Sequence, residues 1–125
     1  GLAAASSNDN SRVTKTGHLI GTPTYMSPEQ VRGLSVDFRT DIYSLGVVMY
    51  EIFTGTVPYT ADNPMGVLYQ HIEGVKESPR SRNPLITPEL EAVILKAMAL
   101  RPDDRYQTGH ELLAALDALE LKEAA

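Results

Sequence analysis

Residues 21–33, GTPTYMSPEQVRG, are the stretch that decides the fold of this chain of 125 residues. A polar loop runs here directly into the start of a helix. Ser27 can cap that helix, Pro28 suits its first position, and Gln30 completes an S-x-x-Q capping box. Gly33 is typical of a residue that ends a short helix. The stretch therefore predicts an ordered loop followed by a short helix with a well-defined start.

The residues before this stretch have a different character. From residue 3 to 17 the sequence AAASSNDNSRVTKTG is polar and contains almost no large apolar residue. Such a segment buries too little apolar surface to offset the entropy lost on ordering. We expect a flexible loop there, with order beginning near Leu19 and Ile20.

Hydrophobic periodicity and end signals predict four more helices after the first. They cover 40–55 and 63–74, and two further helices begin at 87 and 108. The helix at 40–55 carries apolar residues on several sides, so we expect it to be buried nearly all round. Residues 75–86, rich in Pro, Ser and Arg, are predicted to form a loop. No alternation typical of strands competes, so the fold class is mainly α.

Composition excludes several classes of function. The longest apolar run, residues 45–50, is far shorter than the roughly 18 to 20 residues of a membrane helix, so no membrane span is expected. With 11 basic and 16 acidic side chains the net charge is −5, which favours no nucleic-acid partner. There is no Cys, and His18, His71 and His110 lack metal-ligand spacing, so no metal site is predicted.

Three motifs in this order resemble the later part of serine/threonine protein kinases: GTPTYMSPEQ at 21–30, DIYSLG at 41–46 and RPDDRY at 101–106. The segment Ser27-Pro28-Glu29 stands where the kinase family has Ala-Pro-Glu. Gly1 falls where the Gly of the family's Asp-Phe-Gly motif would stand, so we expect a fragment that starts inside a kinase domain. The VTKT stretch and SPEQ-R-G look most like the bacterial Hanks-type enzymes.

The resemblance implies a partial kinase C-terminal lobe, with about five helices after a flexible activation loop. Residues 1–26 would form the activation loop and substrate platform, and residues 27–125 the helical part. The implied platform comprises Gly21, Thr22, Pro23, Thr24 and Tyr25. In the family the Thr at position 22 contacts the catalytic Asp and Lys, whereas an ordinary loop Thr remains the alternative. Thr14 and Thr16 correspond to the autophosphorylated pair of the bacterial enzymes.

Structural roles follow for the remaining motif residues. Glu29 could be an ordinary acid in a first helical turn, where the helix dipole contributes about 0.3 to 1 kcal/mol. The resemblance implies instead that Glu29 forms a buried ion pair with Arg105. It also implies that Asp41 accepts backbone hydrogen bonds from the catalytic loop, and that Gly46 permits close packing. Tyr43 departs from the Trp that many members carry.

The implied activity is ATP-dependent phosphorylation of Ser or Thr in proteins. ATP and Mg²⁺ would be bound by residues upstream of Gly1 and not by this fragment, which is therefore expected to be inactive alone and to contain no catalytic residue. The expected partners are a protein substrate and a second copy for trans-autophosphorylation, and the expected location is the cytoplasm. A pseudokinase or a helical protein-interaction module would keep Glu29, Asp41 and Arg105 as well, and both remain open.

Overall fold

A computed structural model describes residues 22–124, which contain helices and no strand. The predicted mainly α fold class is confirmed. Six α-helices lie in this part of the chain: α1 Pro28–Val31, α2 Phe38–Thr54, α3 Pro64–Glu73, α4 Pro79–Arg82, α5 Pro88–Ala97 and α6 Gly109–Ala124. Two short 3-10 turns, Pro23–Tyr25 and Pro102–Asp104, precede α1 and α6.

The first helix begins as the sequence predicts. The backbone N–H of Gln30 donates to Ser27 Oγ at 3.2 Å, and the backbone N–H of Ser27 donates to Gln30 Oε1 at 2.9 Å. Both halves of the capping box are therefore present. Pro28 occupies the first helical position, where its missing N–H costs nothing. The platform loop thus enters the helix in one fixed direction.

The predicted start of the central helix is two residues late. The helix α2 begins at Phe38, because the side chain of Asp37 accepts a hydrogen bond from the backbone N–H of Arg39 and caps the helix there. Its predicted end is confirmed: Gly55 adopts a φ of 83°, a left-handed conformation that glycine tolerates best. Local capping chemistry fixes both ends.

The predicted capping box at the start of α6 is only half right. Thr108 Oγ1 accepts from the backbone N–H of Glu111 at 3.0 Å, as expected. The carboxylate of Glu111, however, accepts from the backbone N–H of Gln107 at 2.8 Å and not from that of Thr108. The Glu111 side chain reaches one residue further back than predicted. It therefore satisfies the backbone N–H of Gln107 in place of that of Thr108.

The prediction that residues 75–86 form only a loop is wrong. Residues Pro79–Arg82 form the single helical turn α4. Ser78 caps it by accepting from the backbone N–H of Ser81 at 3.2 Å, and Pro79 stands at the first helical position. The turn is too short to show hydrophobic periodicity, which is why only its cap could have revealed it.

The core lies where α2 packs against α5 and α6. Two groups of buried side chains share this region. The first consists of Ile42, Val93, Ala97, Tyr106 and Leu112, and the second of Tyr43, Val47, Tyr50, Ile94 and Met98. Ile42 and Tyr43 are neighbours on α2 and point to different groups, so α2 supplies side chains to both. It is the central element of the described structure.

One face of α2 contradicts the expectation that this helix is buried nearly all round. Leu45 is 39% exposed and Ile52 is 68% exposed, and Phe38, Val48 and Phe53 are exposed beside them. These five side chains form the open face of α2. The apolar pattern predicts that a helix is covered on several sides but not which residues cover it, and nothing within residues 22–124 buries this face.

Gly46 lies at a close contact between α2 and the end of α5. A Cβ added there would come within 2.7 Å of Met98 Cγ and 2.9 Å of Ala97 Cβ. The methionine side chain can move, whereas Ala97 Cβ is attached directly to the α5 backbone. Any larger residue at position 46 must therefore push the two helices apart.

We expect Gly46→Ala to destabilise the protein by about 1 to 3 kcal/mol, the usual cost of overpacking a core. The matched control is Gly109→Ala in α6, where an added Cβ would meet no atom within 4 Å. Alanine lowers the entropy of the unfolded chain, so the control should be neutral or slightly stabilising. Urea unfolding of both variants measures the difference, and equal midpoints would contradict the packing assigned to Gly46.

Candidate functional site: a clamped loop between two buried polar contacts

A buried ion pair joins α1 to the loop before α6. Arg105 donates from Nη1 to Glu29 Oε2 at 2.6 Å and from Nη2 to Glu29 Oε1 at 2.7 Å, a two-pronged geometry. The exposed fraction is 0% for the Arg105 side chain and 7% for that of Glu29. The buried ion pair implied by the resemblance is present.

All five N–H groups of Arg105 have acceptors. Besides Glu29, they reach the backbone carbonyls of Ala99, Leu100 and Arg39, at 2.8, 3.2 and 3.0 Å respectively. A buried guanidinium with every donor used is held in one position. It ties the end of α5, the start of α2 and the carboxylate of α1 together.

Thr40 completes the environment of Glu29. Its hydroxyl donates to Glu29 Oε2 at 2.6 Å. Burial alone would raise the pKa of Glu29, but the hydrogen bonds from Arg105 and Thr40 outweigh burial and hold that pKa below its usual value of 4.5. Glu29 is therefore ionised at neutral pH, as the ion pair requires.

The loop before α1 is held to α2 by two hydrogen bonds. The hydroxyl of Ser44 donates to the backbone carbonyl of Tyr25 at 2.7 Å. The phenol of Tyr25 donates to Glu51 Oε1 at 2.6 Å, and this contact raises the pKa of Tyr25. Residues Pro23–Tyr25 themselves form a 3-10 turn. The turn therefore has a defined conformation and is anchored to α2.

A third hydrogen bond comes from a histidine in α3. His71 is fully buried, and its Nε2 lies 2.9 Å from the carbonyl oxygen of Thr24. A carbonyl only accepts, so Nε2 carries the proton. Nδ1 of the same ring lies 2.6 Å from the hydroxyl of Tyr43, which donates to it. Burial lowers the pKa of His71 from 6.5 to about 4, so the ring is neutral and serves as donor on one side and acceptor on the other.

Tyr43 connects this histidine to the ion pair. The guanidinium carbon of Arg105 lies 5.0 Å from the centre of the Tyr43 ring, within cation–π range. The ring is fully buried, and burial raises the pKa of Tyr43, so its hydroxyl stays protonated and able to donate. Residues 24–29 are consequently held at both ends, by His71 at Thr24 and by Arg105 at Glu29, with Tyr43 touching both anchors.

Comparison with known proteins identifies the family of this chain. The family described as protein kinase domain matches residues 1–116. The chain belongs to the protein kinase family. The match includes the three motifs on which the resemblance was based, and the described helices are those of part of the kinase C-terminal lobe.

The kinase chain is similar to several bacterial serine/threonine kinases. It is 50% identical over 116 residues to the serine/threonine-protein kinase PknB of Mycolicibacterium smegmatis, covering 93% of this chain and 19% of that relative. Identity to PknB of Mycobacterium tuberculosis is 47% over 116 residues, or 93% of this chain and 18% of the relative. A probable serine/threonine-protein kinase PknB of Corynebacterium glutamicum is 43% identical over 123 residues, or 95% and 19%. The chain thus spans about a fifth of the length of these curated relatives.

Within this kinase lobe the predicted motif residues take different places. Ser27, Pro28 and Glu29 lie together at the start of α1, all buried, and Arg105 joins them from the loop before α6. Asp41 is half-buried in the first turn of α2 and has a polar contact of its own. Gly46 lies about one and a half turns further along and faces α5.

The predicted platform residues are partly described. Thr22 is exposed at the start of the 3-10 turn, and Pro23, Thr24 and Tyr25 form that turn. Gly21, Thr14 and Thr16 lie outside the described residues. No helix between residues 22 and 124 combines the length and the apolar character needed to cross a membrane.

Sequence reasoning missed His71 and underrated Tyr43. From the sequence, His71 receives no role beyond its exclusion as a metal ligand, and Tyr43 is only a departure from the Trp of many family members. A polar residue three positions after buried Leu68, on the inner face of α3, was the available signal. Its partners Thr24 and Tyr43 lie 47 and 28 positions away in the chain, so no local pattern could reveal them.

Proposed function

We propose that this chain is the C-terminal portion of the kinase domain of an ATP-dependent serine/threonine kinase, which phosphorylates Ser and Thr residues of proteins. The observation that carries the proposal is the clamped segment 24–29. A loop with the sequence TPTY at 22–25, held by Ser44 and His71 and followed by the Glu29–Arg105 ion pair, is suited to present a rigid surface to a peptide. Such positioning is the main contribution that a protein makes to phosphoryl transfer.

We propose a division of the chain at the start of α1. Residues 1–26 would form the activation loop and substrate platform, and residues 27–125 the helical support. The capping box at Ser27 favours this division, because it fixes the point where the loop becomes helix. The platform would then comprise Gly21, Thr22, Pro23, Thr24 and Tyr25.

The catalytic loop of the kinase domain is proposed to cover the open face of α2. Leu45, Val48 and Ile52 are exposed there and gain by burial against another segment. Asp41 lies one turn before Leu45, where the resemblance implies that it accepts backbone hydrogen bonds from that loop. Thr22 is exposed, and its side chain makes no capping hydrogen bond to the 3-10 turn that follows it. The side chain is therefore available to contact the catalytic Asp and Lys.

ATP and Mg²⁺ are proposed to bind residues outside this chain. Among residues 22–124, no group of three or more His, Asp or Glu side chains could hold a metal ion. In the kinase family the residues that hold Mg–ATP precede the position that Gly1 occupies, and the proposal follows from that resemblance. When bound, Mg–ATP supplies the phosphoryl group and neutralises its charge. Residues 1–125 alone are accordingly proposed to be inactive and to contribute no catalytic group.

Thr14 and Thr16 are proposed as phosphorylation sites of the active kinase. Each phosphate adds about −1.5 to −2 charges, enough to order a polar segment against arginine side chains. Phosphopeptide mapping of the active full-length kinase should find both residues modified, and Ser6, Ser7 and Ser11 much less so. An active enzyme with neither threonine modified would refute these sites.

Two further assignments depend on this function. A second copy of the kinase is proposed as the partner for trans-autophosphorylation, because an enzyme cannot easily present its own activation loop to its own active site. The cytoplasm is proposed as the compartment, because it provides ATP and protein substrates. No nucleic-acid partner is proposed for a chain with net charge −5.

Reading the coding sequence that precedes Gly1 tests the proposal against a pseudokinase. A kinase requires Asp-Phe before Gly1, with a catalytic-loop Asp and Asn before that. Replacement of those residues by groups that cannot bind metal or accept a proton would favour a pseudokinase. A stop codon immediately upstream would favour a helical interaction module.

A further inference from the structure

We propose that His71 is a positioning residue that sets the conformation of the substrate platform. This inference rests on the proposed function, because it takes residues 22–25 as the surface that meets the protein substrate. It goes further because it assigns the conformation of this surface to a residue of α3. That residue lies outside all three recognised motifs. The substrate class concerned is a peptide segment containing Ser or Thr.

The hydrogen bonds of His71 support a positioning role. The ring is enclosed between two tyrosines: Tyr59 meets it edge-on with ring centres 4.8 Å apart, and Tyr43 lies at 5.6 Å. Its Nε2–H donates to the carbonyl of Thr24 at 2.9 Å, and its Nδ1 accepts from Tyr43 at 2.6 Å. Two aromatic walls and two hydrogen bonds leave the imidazole one orientation, so the Thr24 carbonyl is held in one place.

The position of Thr24 explains why this contact matters for the platform. Thr24 is the middle residue of the 3-10 turn Pro23–Tyr25. Ser44 holds the next carbonyl, that of Tyr25, from α2, so two successive carbonyls are bound from two different helices. This fixes the peptide planes on both sides of Tyr25. Without the His71 donor the first of them could rotate, and the exposed edge of the turn would change shape.

The experiment compares His71→Gln with His71→Asn in the complete kinase domain. The amide nitrogen of Gln can reach roughly the position of histidine Nε2 and still donate to Thr24, whereas the shorter Asn cannot. We expect His71→Asn to raise the KM for a Ser/Thr peptide about 10-fold, as for loss of one buried hydrogen bond, with the KM for ATP unchanged. His71→Gln should recover most of the wild-type peptide KM.

Two additional variants complete the test. Tyr43→Phe keeps the aromatic ring and removes only the hydroxyl, so it should raise the peptide KM in the same direction even if His71→Asn fails to fold. His110→Gln, at an exposed histidine near the start of α6, is the control that should leave all constants unchanged. Equal peptide KM values for the Gln and Asn variants, or parallel changes in the KM for ATP, would overturn the inference. If His71→Asn does not fold, an unchanged peptide KM in Tyr43→Phe overturns it.

An assay of the wild-type domain distinguishes failure of this inference from failure of the proposed function on which it rests. If the wild-type domain does not phosphorylate the peptide, the proposed kinase activity fails whatever the variants do. If the wild-type domain is active and the variants show no selective effect on the peptide KM, the kinase assignment stands and the role of His71 is rejected.

Discussion

Replacing Arg105 with Ala should destabilise the kinase domain by about 3 to 5 kcal/mol, the usual cost of removing one partner of a buried ion pair. The loss is large because the Glu29 side chain, which is 7% exposed, would be left with only Thr40 as a side-chain donor. Three backbone carbonyls, those of Arg39, Ala99 and Leu100, would lose their guanidinium donors as well. Thermal and urea unfolding of the complete kinase domain measure the change.

Arg101→Ala is the matched control for this variant. Arg101 precedes Arg105 by four residues, but its side chain is 75% exposed and lies 3.8 Å from an exposed Asp103. Exposed pairs contribute about 0 to 1 kcal/mol, so the control should unfold almost as the wild type does. Arg105→Lys separates the contribution of the positive charge from that of the two-pronged geometry. Lys keeps the charge and loses the two-pronged contact with Glu29. Equal unfolding midpoints for Arg105→Ala and Arg101→Ala would contradict the role given to the ion pair.

Stability should fall steeply as the pH drops from about 6.5 to 4, because His71 is held neutral in the folded state. Its pKa is depressed on folding, so the unfolded chain binds the proton first and acid favours unfolding. The difference between 6.5 and about 4 corresponds to roughly 3 kcal/mol over this range. The groups facing the ring are Tyr43, Tyr59 and Lys76. Burial lowers the pKa of Lys76 and raises the pKa of both tyrosines, so the tyrosines stay uncharged through this window.

Glu29 adds a second acid-dependent contribution at lower pH. Its pKa is lowered on folding, so its contribution is complete above 4.5 and is lost as the pH falls through the folded-state value. The contributions of His71 and Glu29 to the free energy of unfolding can therefore be distinguished by the pH range in which each is lost. Urea unfolding of wild type and His71→Gln at several pH values is the measurement. The Gln variant should lose the decline between 6.5 and 4.5 and keep the later one, whereas identical curves would show that His71 does not remain neutral and buried.

Local signals in the sequence were sufficient for most helix boundaries. The caps at Ser27, Asn63 and Thr87 each accept the backbone hydrogen bond that their position predicts. Capping depends on residues within one turn, so it can be recognised in a sequence without knowledge of the fold. The short helix α4 was missed for the opposite reason, because four residues contain no period.

Long-range contacts could be predicted only where the family resemblance supplied them. Glu29 and Arg105 are 76 positions apart, and their pairing was implied by the kinase motifs, not by any local pattern. The link from Tyr43 to Thr24 passes through His71, which lies outside every recognised motif, and only the structure revealed it. The open face of α2 was misjudged because periodicity shows that a side chain is apolar and does not show what covers it.

Phosphoryl transfer by the complete protein is the most direct measurement of the proposed kinase activity. The protein containing this chain would be incubated with γ-labelled ATP, Mg²⁺ and a protein substrate, and the labelled amino acids identified after hydrolysis. We expect label on Ser or Thr and none on Tyr, and no transfer by highly purified residues 1–125 alone. A complete protein that transfers no label, label found on Tyr, or transfer by residues 1–125 free of other kinases would contradict it.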